Sequence, residues 1–205
     1  MVNWQQNSSN LPLIVLASSS PRRQELIRSL QLPYEIQPSD ADETVPADWS
    51  PVRTVEQLSL RKAEAVAHLR RQSGQAGIVL GSDTVVVLDD HILGKPQDEA
   101  DACRMLSALQ GRTHEVYTGV ALIDVMTNRV ELAHQKTRVH MRPLTPDQVK
   151  RYVATGEPMD KAGSYGIQGV GATIVESIEG CYFNVVGLPL SLLAQMLRSF
   201  DVETP

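Results

Sequence analysis

Cysteine is nearly missing from this sequence. Cys103 and Cys181 are its only two, far apart and outside any CxxC spacing. That excludes a cysteine zinc site and a disulfide framework, and leaves the reduced thiols of a cytosolic protein as the expectation. Histidine supplies five residues, none at an HxxxH or similar ligand spacing, so all five read as structural or surface groups. A basic excess is lacking too. The 19 lysines and arginines face 24 aspartates and glutamates for a net charge of −5, the wrong sign for a general nucleic-acid binder. No apolar run approaches the roughly 18 residues of a membrane span. The N-terminus, MVNWQQNSSN, is polar and carries no basic-then-apolar signal pattern. Residues 1–12 therefore read as a short disordered lead-in to one domain at 13–205. The expectation is a soluble cytoplasmic protein that binds neither nucleic acid nor membrane.

What is present is an ordinary globular composition, 42% hydrophobic and 21% charged over 205 residues, long enough for a sizeable core. Strand and helix patterns alternate. Leu13–Ala17 reads as a buried strand, Pro21–Leu30 as a helix and Tyr34–Gln37 as a short strand. An acidic loop follows, and Ser50 caps a long helix running to about Arg71. Residues 77–96 read as a strand, a break at Gly81, a second strand and a turn at Asp89-Asp90. Asp98–Leu109 is a helix stopped by Gly111. Val116–Val125 and Arg129–Met141 pair as a hairpin around Thr127-Asn128. Thr145–Thr155 is a helix, 163–186 a glycine-rich region with short strands, and Leu188–Phe200 a closing helix. The fold class is α/β with a central mixed sheet.

The chemistry begins at SSSPRR, residues 18–23. Ser20 can cap a helix that Pro21 opens. Arg22 and Arg23 on its first turn oppose the macrodipole, which favours anions there. With Ser18 and the free backbone N–H groups they suit a phosphate-sized anion; the alternative is a capped surface helix with two solvated arginines. In GSDT, residues 81–84, Asp83 interrupts two apolar runs. A carboxylate there is costly to bury unless it is paired, hydrogen-bonded or metal-bound. Gly81 and Thr84 suggest a bulge that aims Asp83 into a cleft; the alternative is an Asx-turn.

Lysine occurs only five times against fourteen arginines. Lys95 and Lys161 stand beside glycine or proline in irregular stretches, and Lys62 falls on the long helix, each suited to phosphate as a compact charge. Glu43 and Asp160 are further carboxylates. Beside a polyphosphate they repel unless a divalent cation bridges them, since magnesium takes one or two carboxylates plus substrate phosphates. Asp40 and Asp42 read as exposed.

Taken in order, ASSSPRR, DADET, RKAEA, GSDTVV, GKP, GRTHEVYTGV and EPMDKAGSYGIQG closely resemble the motifs of the Maf-type nucleotide pyrophosphatases, from about Leu13 to Phe200. The resemblance implies a two-lobed α/β fold with a substrate cleft, related to the inosine-triphosphate pyrophosphatase architecture and commonly dimeric. It implies metal-dependent hydrolysis of a nucleoside triphosphate to the monophosphate and pyrophosphate, with magnesium or manganese as the expected cation. By motif position, Asp83 matches the general base, and Arg23, Thr84 and Gln168 match the substrate-specificity positions. Ser18, Arg22, Lys62, Lys95 and Lys161 match polar cleft residues that bind phosphate, and Glu43, with Asp83, matches a metal ligand.

YGIQG resembles the branch acting on dTTP and UTP, modified pyrimidine triphosphates included. One primary amide, Gln168, can accept from the pyrimidine N3–H and donate to a neighbouring carbonyl. The branch acting on 7-methylated GTP lacks this run, and its cationic base would favour an aromatic or acidic cradle. Aromatics are 4% of this chain, with Tyr165 close to the motif. Two alternatives stand beside this reading: a nucleotide-binding regulator of cell division or septum formation, and a pyrophosphatase with another base preference.

Overall fold

The computed structural model describes residues 11–204; most of the expected lead-in, residues 1–10, lies outside them. The chain runs β1 (Ile14–Leu16), α1 (Pro21–Ser29), β2 (Tyr34–Ile36), α2 (Pro51–Gln72), β3 (Ile78–Leu88) and β4 (His91–Leu93). It continues with α3 (Glu99–Leu109), β5 (Thr113–Asp124), β6 (Val130–Met141), α4 (Pro146–Val153), β7 (Val175–Glu179), α5 (Tyr182–Val186) and α6 (Leu190–Arg198). Ser20 on α1 and Ser50 on α2 cap their helices as the sequence suggests, and the structure adds Asp98 on α3 and a full capping box of Thr145 and Gln148 on α4.

The strands form one mixed seven-stranded sheet of order β2-β1-β3-β5-β6-β7, with β4 on the edge of β3. β1 is parallel to β2 and β3, and the other pairings are antiparallel. Two features differ from the sequence expectation. The break at Gly81 is absent: β3 runs uninterrupted against β5 in continuous register from Ile78 to Val87. Gly81 serves a different need. A Cβ there would lie 2.0 Å from the Ser59 carbonyl of α2, and one at Gly119 on β5 would lie 2.2 Å from the Val55 carbonyl. The two glycines let α2 settle directly on the sheet. The glycine-rich region, in turn, holds one strand, β7, and the short helix α5, with tight 3-10 turns at Ala162–Ser164 and Gly169–Thr173 and a further one just before it at Glu157–Asp160.

Alternation along β3 sorts its side chains. Val79, Val85 and Val87 meet α2, while Ile78, Leu80, Val86 and Leu88 face away from it. On that second face the apolar core divides. One part gathers β1, α1, α6 and the first half of β3; the other gathers α3, α4, the end of β3 and β6. These are the two lobes. Between them the sheet has a gap. One edge of β3 is paired with β5 almost throughout, but the other meets β1 only at 78–80 and β4 only at 86–88. Residues 81–85 therefore look into an opening between β1 and β4, and side chains from both faces of the strand reach it.

Candidate active site

The opening is a cleft of about 580 Å³. All ten residues that the family resemblance assigns to a site line it, with Asp160 beside them: Ser18, Arg22 and Arg23 from the end of β1 and the start of α1, Glu43 from the acidic loop, Lys62 from α2, Asp83 and Thr84 from β3, and Lys95, Lys161 and Gln168 from loops of the second lobe. The GSDT segment is strand, so the Asx-turn and the bulge both fall away. Asp83 is aimed at the cleft by strand alternation beside the gap.

On the α2 face, Lys62 Nζ lies 2.5 Å from Asp83 Oδ1 and 2.9 Å from Glu43 Oε1. Lys62 and Asp83 are both nearly buried, while Glu43 is exposed. Desolvation pushes the Glu43 carboxyl up, but its hydrogen bond and attraction to Lys62, with the charges of Lys95 and Arg23, hold it below the usual carboxylate range. Asp83 Oδ2 and Glu43 Oε2 have no protein partner among the described residues. Two residues that the sequence reading passed over set Glu43 in place. Arg61 Nη1 donates to the carbonyls on both sides of it, Thr44 O at 2.8 Å and Asp42 O at 3.4 Å. Trp49 lies against the guanidiniums of Arg53 and Arg61, 4.5 and 5.4 Å from its ring. Asp40 and Asp42 are exposed.

The two arginines part company, because neighbouring helix positions point about 100° apart. Arg22 Nη1 donates to Asp160 Oδ2 at 3.1 Å, and Lys161 Nζ holds the other oxygen of Asp160 at 2.7 Å, tying α1 to the opposite lip. Arg23 turns inward. Its Nε donates to Gly187 O at 2.7 Å, its Nη2 to Thr84 Oγ1 at 3.0 Å, and its Nη1 reaches Ser18 Oγ at 3.5 Å. Burial lowers its pKa from the ordinary value against the pull of Asp83, and the guanidinium remains charged. A single convergent two-arginine site is therefore not what forms.

The second face carries the apolar half of the cleft, with Thr84 and Gln168 set among Val86, Val116, Tyr165, Ile167 and Val186. Gln168 is half-buried, and its amide has no hydrogen-bond partner among the described residues. Tyr165 is spoken for: its hydroxyl pairs with His114 Nε2 at 2.7 Å, and the rings meet edge to face. The loop that presents Gln168 is organised by Glu157, which accepts from the N–H groups of Val170 and Gly171 and from Tyr152 OH, each at 2.9 Å. Glu157 stands in the EPMDKAG motif but carried no role in the sequence reading. Gly187 had no side-chain signal to offer at all, since it acts through its carbonyl.

A divalent cation needs hard oxygen ligands. No group of three or more His, Cys, Asp or Glu side chains gathers among the described residues, so an all-protein cage is not available. The free oxygens of Asp83 and Glu43 do fit an ion of the magnesium kind, which keeps waters and takes phosphate oxygens alongside one or two carboxylates.

The fold and cleft define an α/β protein with a cleft at a gap in its central sheet, lined by lysine, arginine and carboxylate groups together with apolar, amide and hydroxyl groups. The sequence model of the Maf-like protein family matches residues 13–200, and the chain belongs to that family. It is 54% identical over 190 residues to a protein of Desulforamulus reducens named dTTP/UTP pyrophosphatase, covering 93% of this chain and 97% of that one. A protein of the same name from Moorella thermoacetica is 53% identical over 190 residues, covering 93% and 96%. One from Bacillus cereus is 44% identical over 203 residues, covering 99% and 97%. Among solved structures, the Staphylococcus aureus Ham1 protein aligns over 80% of this chain and 79% of that one, with TM-score 0.49 and 15% identity. No described helix is long and apolar enough to cross a membrane.

Proposed function

We propose that this protein is a nucleoside triphosphate pyrophosphatase that hydrolyses dTTP and UTP to the monophosphate and pyrophosphate with the help of magnesium or manganese. The observation that carries the reading is the pairing of a nearly buried Lys62–Asp83 contact with a cleft whose two halves differ in chemistry. The charged half suits a triphosphate, and the apolar half suits a base. Relatives named dTTP/UTP pyrophosphatase, matched over nearly their full lengths, support the substrate class.

In this reading the triphosphate crosses the gap in front of β3. Lys62, Lys95 and Lys161 neutralise its oxygens, and Arg22 and Ser18 close on it from the start of α1. Catalysis of this kind rests on positioning and charge stabilisation. The Asp83 carboxylate takes a proton from a water whose oxygen bonds to phosphorus. The bond from that phosphorus to the oxygen bridging the α- and β-phosphates breaks, and pyrophosphate and the monophosphate separate. Asp83 and Glu43 would hold the divalent cation, whose chemistry is to polarise the phosphate oxygens.

The test is a panel of nucleoside triphosphates assayed for pyrophosphate release with magnesium or manganese, before and after exhaustive chelation. The expected result is release from dTTP and UTP that stops on chelation and returns with the metal. No release from any nucleotide overturns the reading, and full activity after chelation overturns the part played by the cation.

A further inference from the structure

Thr84 and Thr118 are directly opposite each other in the β3–β5 register, and their hydroxyls are 2.9 Å apart. The direction of that hydrogen bond is settled by what surrounds it. Thr118 is fully buried, and its Oγ1 lies 2.9 Å from the Asn184 carbonyl, which can only accept. The single proton of Thr118 therefore goes to Asn184 O, and Thr118 must accept from Thr84. Thr84 thus spends its own proton inward and accepts from Arg23 Nη2 on another side. What Thr84 has left for the cleft is a lone pair.

The position of Thr84 gives that lone pair something to read. Strand alternation puts Thr84 on the opposite sheet face from Asp83 and Lys62, beside Val86 and Val116 in the apolar half of the cleft. An acceptor set among apolar walls, with guanidinium donors next to it, complements a flat ring edge carrying an N–H beside a carbonyl. Uracil and thymine have that edge at N3–H. Cytosine has an unprotonated N3 in the same place, which would set two acceptors against each other.

We propose that Thr118, which touches no substrate, is a positioning residue that holds the Thr84 hydroxyl as an acceptor, and that this polarity lets the site take uracil and thymine nucleotides and reject cytosine nucleotides. The proposal rests on the pyrimidine-triphosphatase reading above. With N3–H taken by Thr84, the Gln168 amide is left to donate to a flanking carbonyl. Guanine also carries a ring N–H beside a carbonyl, so this device sorts donors from acceptors and leaves purine size to the walls.

The experiment is a double-mutant cycle of Thr84→Val and Thr118→Val, with Thr118→Ser as the conservative control, reading the ratio of kcat/KM for UTP to that for CTP. Valine preserves the shape of threonine, and Asn184 O keeps a partner in the Gly187 N–H at 3.1 Å. In the Thr118→Val protein the Thr84 hydroxyl is free to turn and donate, so the ratio should fall about tenfold or more, the scale of one site hydrogen bond. Thr118→Ser should restore it. Thr84→Val should lower the ratio as well, and the double variant should fall no further than the lower single one, because both act through one hydroxyl. A wild-type preference for UTP that Thr118→Val leaves unchanged overturns the proposal, as does strict additivity in the cycle. Should Thr118→Val fail to fold, an unchanged ratio in Thr84→Val overturns it alone. A wild-type protein that hydrolyses no nucleotide brings down the functional reading instead, and a wild type that treats UTP and CTP alike brings down only this inference.

Discussion

Lys62 and Asp83 meet at 2.5 Å because a helix lies unusually close to a strand. Lys62 is one turn along α2 from Ser59, whose carbonyl occupies the space above Gly81, and Asp83 is two residues along β3 from that glycine, on the same face. Helix-on-sheet packing and the Lys62–Asp83 ion pair are thus one feature. In Asp83→Asn, the amide nearly preserves shape and still offers Lys62 an oxygen, but it takes no proton from water. Turnover should fall by roughly 10²–10⁴-fold, while the melting temperature shifts by a few degrees at most, since Lys62 keeps Glu43. Initial rates and thermal melts on one preparation check this. A variant with half its activity would remove Asp83 from the mechanism.

Gly81→Ala tests the packing side of the same relationship. The added Cβ meets backbone rather than a movable side chain, so α2 must shift or the strand must bend. Overpacking of this kind costs on the order of 1–3 kcal/mol. The variant should melt lower and lose activity together, because Lys62 moves with the helix. Wild-type stability in denaturant titration would show that α2 yields without strain.

Gln168→Ala should weaken discrimination between pyrimidine and purine triphosphates with little effect on folding. The amide bonds to nothing in the protein among the described residues, so its removal orphans no protein group. Against the right base it should cost roughly 1–3 kcal/mol. Specificity constants across the four common nucleotides, beside a melting curve, give the answer. An unchanged ranking would place base reading elsewhere.

His114 predicts a pH dependence of stability. It is buried beneath Tyr165 with Nδ1 unpartnered among the described residues, and desolvation, with a smaller push from His140, lowers its pKa from 6.5 to about 4. The unfolded chain then takes up a proton that the folded protein refuses. Stability should be full above about pH 6.5 and decline as the pH falls toward 4, by up to about 3 kcal/mol. Glu43, Glu157 and Asp160, whose carboxyls are held below their usual range, lose their contributions only at lower pH. Melting temperature across pH 4–8 should show the decline in the wild type and a flatter profile in His114→Gln; equal slopes would assign it to other groups.

Much of the site was legible because motifs record local chemistry. SSSPRR carries its own cap and its own charges, and the lysines beside Gly94, Pro96 and Gly163 stand in short irregular stretches whose composition marks them out. Helices α1 to α4 were legible for the same reason, each with a capping side chain at its start; α5 has no such cap, and the sequence left it unmarked. Gly81 is ambiguous in sequence because a bulge and a close helix approach both call for glycine, and only the position of Ser59, 22 residues earlier in the chain, tells them apart.

By itself, the sequence determined the α/β alternation, the family motifs and the set of ten polar residues, since all of these depend on neighbours within a few positions. Only the tertiary structure decided how they divide. The gap along β3 exists because β1 and β4 end where they do, and it is the gap that lets Asp83 and Thr84, on opposite faces of one strand, open into one cleft. The split between Arg22 on Asp160 and Arg23 on Gly187 and Thr84 likewise depends on partners 61 to 164 residues distant. The proton direction at Thr84 was furthest from view. It follows from a buried threonine on the next strand and a backbone carbonyl on α5, and a carbonyl, common to every residue, leaves no mark in a sequence.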